Sequence, residues 1–431
     1  MRKGKTIAEV VNDNLCTGCG TCVALCPLSA IDMVKDDYKG VYVPKLDKEK
    51  CNQCGICYQV CPGHSIDFKQ LNQDIFSRDP DDFFLGNYLN CYIGYATDYD
   101  IRYNSSSGGI VTSLLVFALE EGLIDGALVT RMKKDKPLEP EPFIARTKDE
   151  IISAARSKYC PVPANIALKE ILETDGKYAV VGLPCHLHGI RKAEIVNKKL
   201  KDSVVLHVGI FCAKTISFRG TEDLLHRKGI HKEEIEELNY RGNGYPGGML
   251  IKLRNGSRSF IALSDYYDTK FGLFPPLRCT LCYDHSSELT DISLGDAWLP
   301  EVKMNDKIGT SIIVSRTKQA EAILGKMVTQ GKIHLNIISA FSVYESQHGF
   351  ANKKKRLMAR FTVSRLFGKK IPTVNYPLSK KPSFYDYLAS ILLYFGIFLA
   401  SKRSLWWPMD IYSAILSYGS SIKKRINQCR L

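Results

Sequence analysis

The sequence predicts an α+β protein in three parts: a small cysteine-rich unit, a mixed α/β body and a helical basic tail. Three observations predict this. A four-cysteine motif is duplicated near the start of the 431-residue chain, strand-like apolar segments alternate with helical stretches through its middle, and the whole net charge of +14 falls after Phe350. With 45% hydrophobic and 24% charged residues the chain has the balance of a globular protein, which excludes disorder and a polytopic membrane protein. Fifteen cysteines behind a start that lacks an apolar signal core exclude a secreted disulfide scaffold and leave metal ligands or catalytic thiols in a reducing compartment.

The first part is the duplication. Cys16 to Met33 (CTGCGTCVALCPLSAIDM) and Cys51 to Phe68 (CNQCGICYQVCPGHSIDF) are offset by 35 residues, and each contains C-x2-C-x2-C-x3-C-P. This is the bacterial two-cluster ferredoxin spacing, in which three cysteines hold one 4Fe-4S cubane and the fourth reaches the other. One set is therefore Cys16, Cys19, Cys22 and Cys61, the second Cys51, Cys54, Cys57 and Cys26. Gly18, Gly20 and Gly55 permit close backbone approach, and Pro27 and Pro62 end the loops. Zinc sites use paired C-x2-C units instead. The unit is placed at residues 1–73, with repeats near 7–36 and 42–71. The polar stretch Asn72 to Asn90, with an acidic turn around Pro80, reads as a linker, placed at 74–94.

The body begins with Ser105 to Glu121 (SSSGGIVTSLLVFALEE), a loop opening an apolar helix, with serine as the expected N-cap and helix-start amides free for an anion. Strands are expected at Ala127 to Thr130, Tyr178 to Gly182, Val204 to Ile210, Met249 to Leu253, Ser259 to Leu263 and Ser311 to Ser315. Two of them run into cysteine, at GLPC (Cys185) and GIFC (Cys212), and strand ends are where α/β sites gather. RCTLC adds the pair Cys279 and Cys282. These four cysteines suit either a third 4Fe-4S cluster or a zinc site, and spacing does not choose between them.

Five ordered segments then carry a resemblance: SSSGGIVTSLL, RSKY (Arg156 to Tyr159), VVGLPCHLHGIRK (Val180 to Lys192), VGIFCAK (Val208 to Lys214), and RCTLCYD followed by TDISLGDAW and GTSIIVSRT. From about Tyr95 to Thr317 the chain resembles the coenzyme F420 hydrogenase/dehydrogenase beta-subunit family, flavoproteins that pass electrons between iron-sulfur clusters and a deazaflavin. The resemblance implies a flavin and iron-sulfur domain over 95–350. It implies FAD beside Ser105, Ser106, Ser107, Gly108 and Gly109, a Lys158-Tyr159 strand, and Gly309, Thr310 and Ser311. It also implies that Cys185, Cys212, Cys279 and Cys282 are cluster ligands. His186 and His188 stand where the family pattern differs and read as core or solvent-facing histidines; Cys160 reads as an inert thiol. The expected function is an iron-sulfur flavoprotein oxidoreductase whose partner is a redox protein or a soluble hydride carrier such as coenzyme F420. The alternatives are a flavin-dependent reductase of a different, biosynthetic substrate and a non-catalytic electron relay.

The tail, 351–431, holds 16 Lys or Arg against Asp386 and Asp410 alone. Leu388 to Ala400 is too short an apolar run to span a bilayer, and is flanked by Lys380-Lys381, Lys402-Arg403, Trp406-Trp407 and Lys423 to Arg425. An anionic membrane surface or membrane partner, a helix covering the body, and a protein docking site remain open; nucleic acid is not expected. The expected location is the cytoplasm, and for a lipid-binding tail the inner face of the membrane.

Overall fold

The computed structural model describes residues 4–376 and 381–428, with side chains as far as Ser417. Of the tail cations, Lys380 lies outside the described residues, as do the side chains of Lys423, Lys424 and Arg425. The architecture is α+β. In the N-terminal unit, one-turn helices α1 (Thr21–Ala24) and α2 (Ile56–Gln59) follow the two cysteine loops, and Ile31–Asp36 pairs antiparallel with Val41–Leu46.

The body is an eight-stranded sheet. Its strands are β1 (Asn90–Ala96), β2 (Gly126–Met132), β3 (Pro140–Ala145), β4 (Tyr178–Gly182), β5 (Val204–Ile210), β6 (Ile292–Asp296), β7 (Ser311–Ser315) and β8 (Ile333–Ile338). The spatial order is β8-β1-β7-β6-β5-β4-β2-β3. Strands β6, β5, β4 and β2 run parallel, and the outer pairs are antiparallel. The central strands are buried on both faces, which is why they read as continuous apolar runs and not as alternation. Helix α3 (Ile110–Glu120) packs Ile110, Leu114 and Leu115 on one face. Helix α4 (Pro184–Val196) covers the other with Leu187, Ile190 and Ala193. A three-stranded sheet of Ile235–Asn239, Gly248–Leu253 and Arg258–Ala262 forms a separate core with Phe218, Leu224, Tyr266 and Phe271.

Three expectations change. The segment 74–94, read as a linker, begins inside the helix Phe68–Phe76, buries Phe84 and Leu85 in the core, and ends in β1. Its apolar residues are packed although its composition is polar. The boundary at 351 falls inside the body, because Leu357 and Phe361 share a core with Ile7, Phe68 and Leu71. Helix α3 is capped not by serine but by Gly109, whose φ of 75° is the left-handed region glycine favours.

The N-terminal unit is docked firmly on the body. Asn165 N–H donates to Cys19 O, and its Nδ2 donates to Thr21 Oγ1 and His186 O, each at 2.8 Å. Lys192 Nζ donates to Cys61 O (2.7 Å), and Arg278 Nε to Gly63 O (2.8 Å). Gly189 lets α4 approach closely, since a Cβ there would lie 2.2 Å from Thr21 Oγ1. The tail continues as α5 (Phe384–Ala400) and α6 (Trp406–Gln428).

Candidate functional site

The two cysteine loops are built alike. Gly18 and Gln53, at φ 73° and 57°, turn their N–H groups back to donate to Cys16 Sγ and Cys51 Sγ, both at 3.3 Å. Gly20 and Gly55, at φ 89° and 80°, then start α1 and α2, which carry Cys22 and Cys57. The fourth cysteines also accept: Ala30 N–H donates to Cys26 Sγ and Gly63 N–H to Cys61 Sγ, again at 3.3 Å. Amides aimed at sulfur are one of the levers by which a protein sets the potential of a cluster. The chain crosses between the loops. Cys61 lies close enough to Cys16, Cys19 and Cys22 for their charges to interact, and Cys26 groups with Cys51, Cys54 and Cys57. Burial pushes the Cys61 thiol up to about 11, with nearby Cys19 adding to the shift. Cys54 is exposed, which gives the second set a face on solvent.

The remaining four cysteines converge from separate elements. Cys185 is in the first turn of α4 behind Pro184, Cys212 follows β5, and Cys279 and Cys282 flank the end of a one-turn helix at Leu277–Thr280. The charges of Cys212, Cys279 and Cys282 are felt at Cys185, and those of Cys279 and Cys282 at Cys212. Burial raises all four thiols, Cys282 to about 11, so an uncompensated thiolate would be costly here and a cationic centre would relieve that cost. Two half-buried lysines stand beside the set. Lys353 Nζ donates to Ala213 O (3.1 Å) and Lys214 Nζ to Gly272 O (2.5 Å). Burial lowers the first to about 8 and the second to about 7, while nearby thiols pull both back up. Among the described residues no three Cys, His, Asp or Glu side chains close on one point.

The three sets form a sequence in space. Cys22 of the first set feels Cys57 of the second, Cys185 of the third feels Cys19 of the first, and Cys212 lines a large cavity in the body. The cavity measures about 1670 Å³, more than the roughly 300–1,000 Å³ of an ordinary small-ligand pocket. Its wall includes Ser105, Ser106, Ser107 and Gly109, the first turn of α3, Lys158, Tyr159 and Ser311. Ser106 Oγ accepts from Ser157 N–H (2.7 Å), and Ser107 and Ser311 share a hydroxyl bond at 2.8 Å.

Several expected contacts are placed differently. Gly108, Gly309 and Thr310 lie behind the wall: Gly108 N–H donates to Ser311 Oγ (2.9 Å), Gly309 O accepts from Arg102 Nε (2.7 Å) and Thr310 Oγ1 donates to Asp306 (2.6 Å). Gly108 is glycine for packing, since a Cβ would sit 2.6 Å from Gly94 O. Gly109 is likewise fixed by the backbone, with a left-handed φ of 75° and a Cβ that would sit 3.0 Å from Arg102 Cα. Lys158 and Tyr159 are in a loop and not a strand, because Lys158 Nζ is tied to the carbonyls of Ala154, Ala155 and Arg156 at 2.6–2.9 Å. His186 reaches the cavity but is satisfied, accepting from Leu183 N–H at Nδ1 and donating to Val162 O from Nε2, and burial lowers it to about 4. His188 is a core residue bonded to Asp284 at 2.8 Å. Cys160 is buried off the cavity, and burial raises it to about 12, so it is inert.

Sequence reasoning missed Arg241. It is 1% exposed, donates to Asp296 (2.9 Å), to the Tyr159 hydroxyl (3.1 Å) and to Ser106 O, and thereby ties three cavity-wall segments together. Lys214, Asp296 and Trp298 also line the cavity; they stand inside the segments VGIFCAK and TDISLGDAW, which were the available signal.

Comparison with known proteins identifies the domains. Residues 91–169 and 175–340 match the N-terminal and C-terminal parts of the coenzyme F420 hydrogenase/dehydrogenase beta subunit, and residues 15–64 match the 4Fe-4S dicluster domain. The coenzyme F420 hydrogenase subunit beta of Methanothermobacter thermautotrophicus is 30% identical over 57% of this chain and 84% of its own. A coenzyme F420-dependent sulfite reductase of Methanocaldococcus jannaschii is 26% identical over 77% of this chain and 48% of its own. A chain of the F420-reducing [NiFe] hydrogenase complex from Methanosarcina barkeri superposes with a TM-score of 0.55 at 26% identity, covering 69% of this chain and 99% of that one. With matched residues spanning most of the body and a 4Fe-4S domain before them, the chain belongs to the coenzyme F420 hydrogenase/dehydrogenase beta-subunit family of electron-transfer oxidoreductases.

Proposed function

We propose that the chain carries FAD in the large cavity and three 4Fe-4S clusters on its three cysteine quartets, and exchanges electrons between a redox partner and a hydride carrier such as coenzyme F420. The observation that carries this reading is spatial order: the quartets lead from exposed Cys54 to Cys212 on the cavity wall. When bound, a flavin exchanges electron pairs with a hydride carrier and single electrons with clusters, which is the conversion such an arrangement needs.

The residues divide that work. The first-turn amides of α3, left free at a helix N-terminus, and the hydroxyls of Ser106 and Ser107 suit a pyrophosphate at the cavity rim, whereas the buried Ser105 hydroxyl donates to Ile101 O (2.7 Å). Arg241 fixes the Ser106 and Tyr159 segments against Asp296, so the rim keeps its shape. Lys353 and Lys214 place positive charge beside the innermost quartet, which favours the more negative, reduced state of a group held there.

The test is to add reduced F420 anaerobically to the purified full-length protein with a viologen as electron acceptor. The expected result is multiple-turnover oxidation of F420 by protein containing FAD. Protein with clusters but no flavin would support the electron-relay alternative. Flavin-containing protein inert toward F420 would support the reductase of a different substrate.

A further inference from the structure

The tail helices leave a surface that the redox reading does not use. Helix α5 is buried on one side and exposed on another. One packs on the body through Gly396, Leu399 and Ala400; a Cβ at Gly396 would lie 2.7 Å from Leu273. The other exposes Phe384, Leu388, Ile391, Phe395 and Phe398, at successive spacings of four, three, four and three residues, so one apolar stripe runs the length of the helix on its solvent side. Each of these side chains is at least 42% exposed. Helix α6 presents a second stripe, Trp407, Ile411 and Ile415, exposed by 74%, 50% and 63%. Tyr412 joins the two helices, with its hydroxyl donating to Leu392 O (2.6 Å) and its ring 5.3 Å from that of Phe395.

Among the described residues no single helix is long and apolar enough to cross a bilayer, and Phe384–Ala400 and Arg403–Ser417 reach that length only together, across a bend of 119°. Exposed cations frame the stripes, with Lys381 before α5 and Lys402 and Arg403 between the helices. From residue 377 onward the sequence holds eight Lys or Arg against Asp386 and Asp410, a net charge of +6. The tail also lies outside the family match, which ends at residue 340, so the surface is not accounted for by the shared body. Exposed apolar stripes with aromatic residues, rimmed by Lys and Arg, are what an interfacial helix pair needs to seat in the headgroup region of anionic lipid.

We propose that α5 and α6 dock the protein in the plane of an anionic membrane surface, with Phe395, Phe398 and Trp407 inserted among the headgroups. The test uses full-length protein at low salt and sucrose-loaded vesicles of phosphatidylcholine with or without phosphatidylglycerol. The protein is expected to sediment with the anionic vesicles and to remain in solution with the neutral ones. Brominated lipid is expected to quench tryptophan fluorescence. The combined exposed-residue variant Leu388→Ser, Ile391→Ser, Phe398→Ser is expected to lower the bound fraction about tenfold while keeping its iron and its thermal transition, since none of these side chains belongs to a buried core cluster and Phe395, which packs on Tyr412, is left in place. The proposal is overturned if the full-length protein stays off anionic vesicles, or if the variant binds them as tightly as the parent. It is equally overturned if sedimentation velocity shows a lipid-free dimer that the variant dissolves, because the stripe would then belong to a second copy of the chain.

Discussion

Cys61→Ala is expected to remove the cluster of the first cysteine loop, not that of its own. In the fold the Cys61 thiol stands among Cys16, Cys19 and Cys22, while the loop that contains Cys61 turns its other three thiols toward Cys26. Iron should fall from about twelve to about eight per chain by the cubane count. Low-temperature EPR should lose the signal that Cys16→Ala also abolishes and keep the one that depends on Cys51. The opposite assignment, in which Cys61→Ala spares the first-loop signal, would contradict the crossed arrangement.

Cys212→Ala should have the largest effect on electron flow. Cys212 belongs to the inner quartet and also lines the cavity, so it stands at the junction between the cavity and the other two quartets. Its loss should cost about four irons, again by the cubane count, and leave both ferredoxin signals in place. Flavin content should be unchanged, and reduced F420 should still bleach the flavin once. Turnover with viologen should fall to background, because the path from the cavity to the outer clusters is cut. A point substitution is the appropriate probe, since removing residues 1–73 would strip Ile7, Phe68 and Leu71 from a core they share with Leu281, Tyr283, Leu357 and Phe361. A variant that keeps all its iron would count against the inner quartet as a cluster site.

What the sequence disclosed follows from how local each constraint is. The two cysteine loops were legible as a 4Fe-4S domain because the amide-to-sulfur turns are built within a few residues, at Gly18 and Gln53 and at Gly20 and Gly55. The inner quartet was legible as a set of candidates only, since Cys185, Cys212 and the Cys279-Cys282 pair meet through sheet topology. Glycines misled in a specific way. At Gly108 and Gly109 a ligand and a packed backbone demand the same residue, and the carbonyl of Gly94 and the backbone of Arg102 prove to be the neighbours. At Lys158, where the resemblance implies a strand, the ammonium is held by three carbonyls of the preceding turn, a contact with no local signature in the sequence. Arg241 had no signature at all: its partners, Ser106, Tyr159 and Asp296, are each at least 55 positions away. The stretch around Pro80 looked like a linker because aspartates surround the few apolar residues, Phe84 and Leu85 among them, that anchor it.

The central claim is that this chain is a complete conduit from flavin to outer cluster, and cofactor stoichiometry on anaerobically purified full-length protein tests it most directly. The account predicts about twelve iron and twelve sulfide per chain, three cubanes' worth, together with one FAD. A value of about eight iron, with zinc at the inner quartet or with no flavin present, would contradict it.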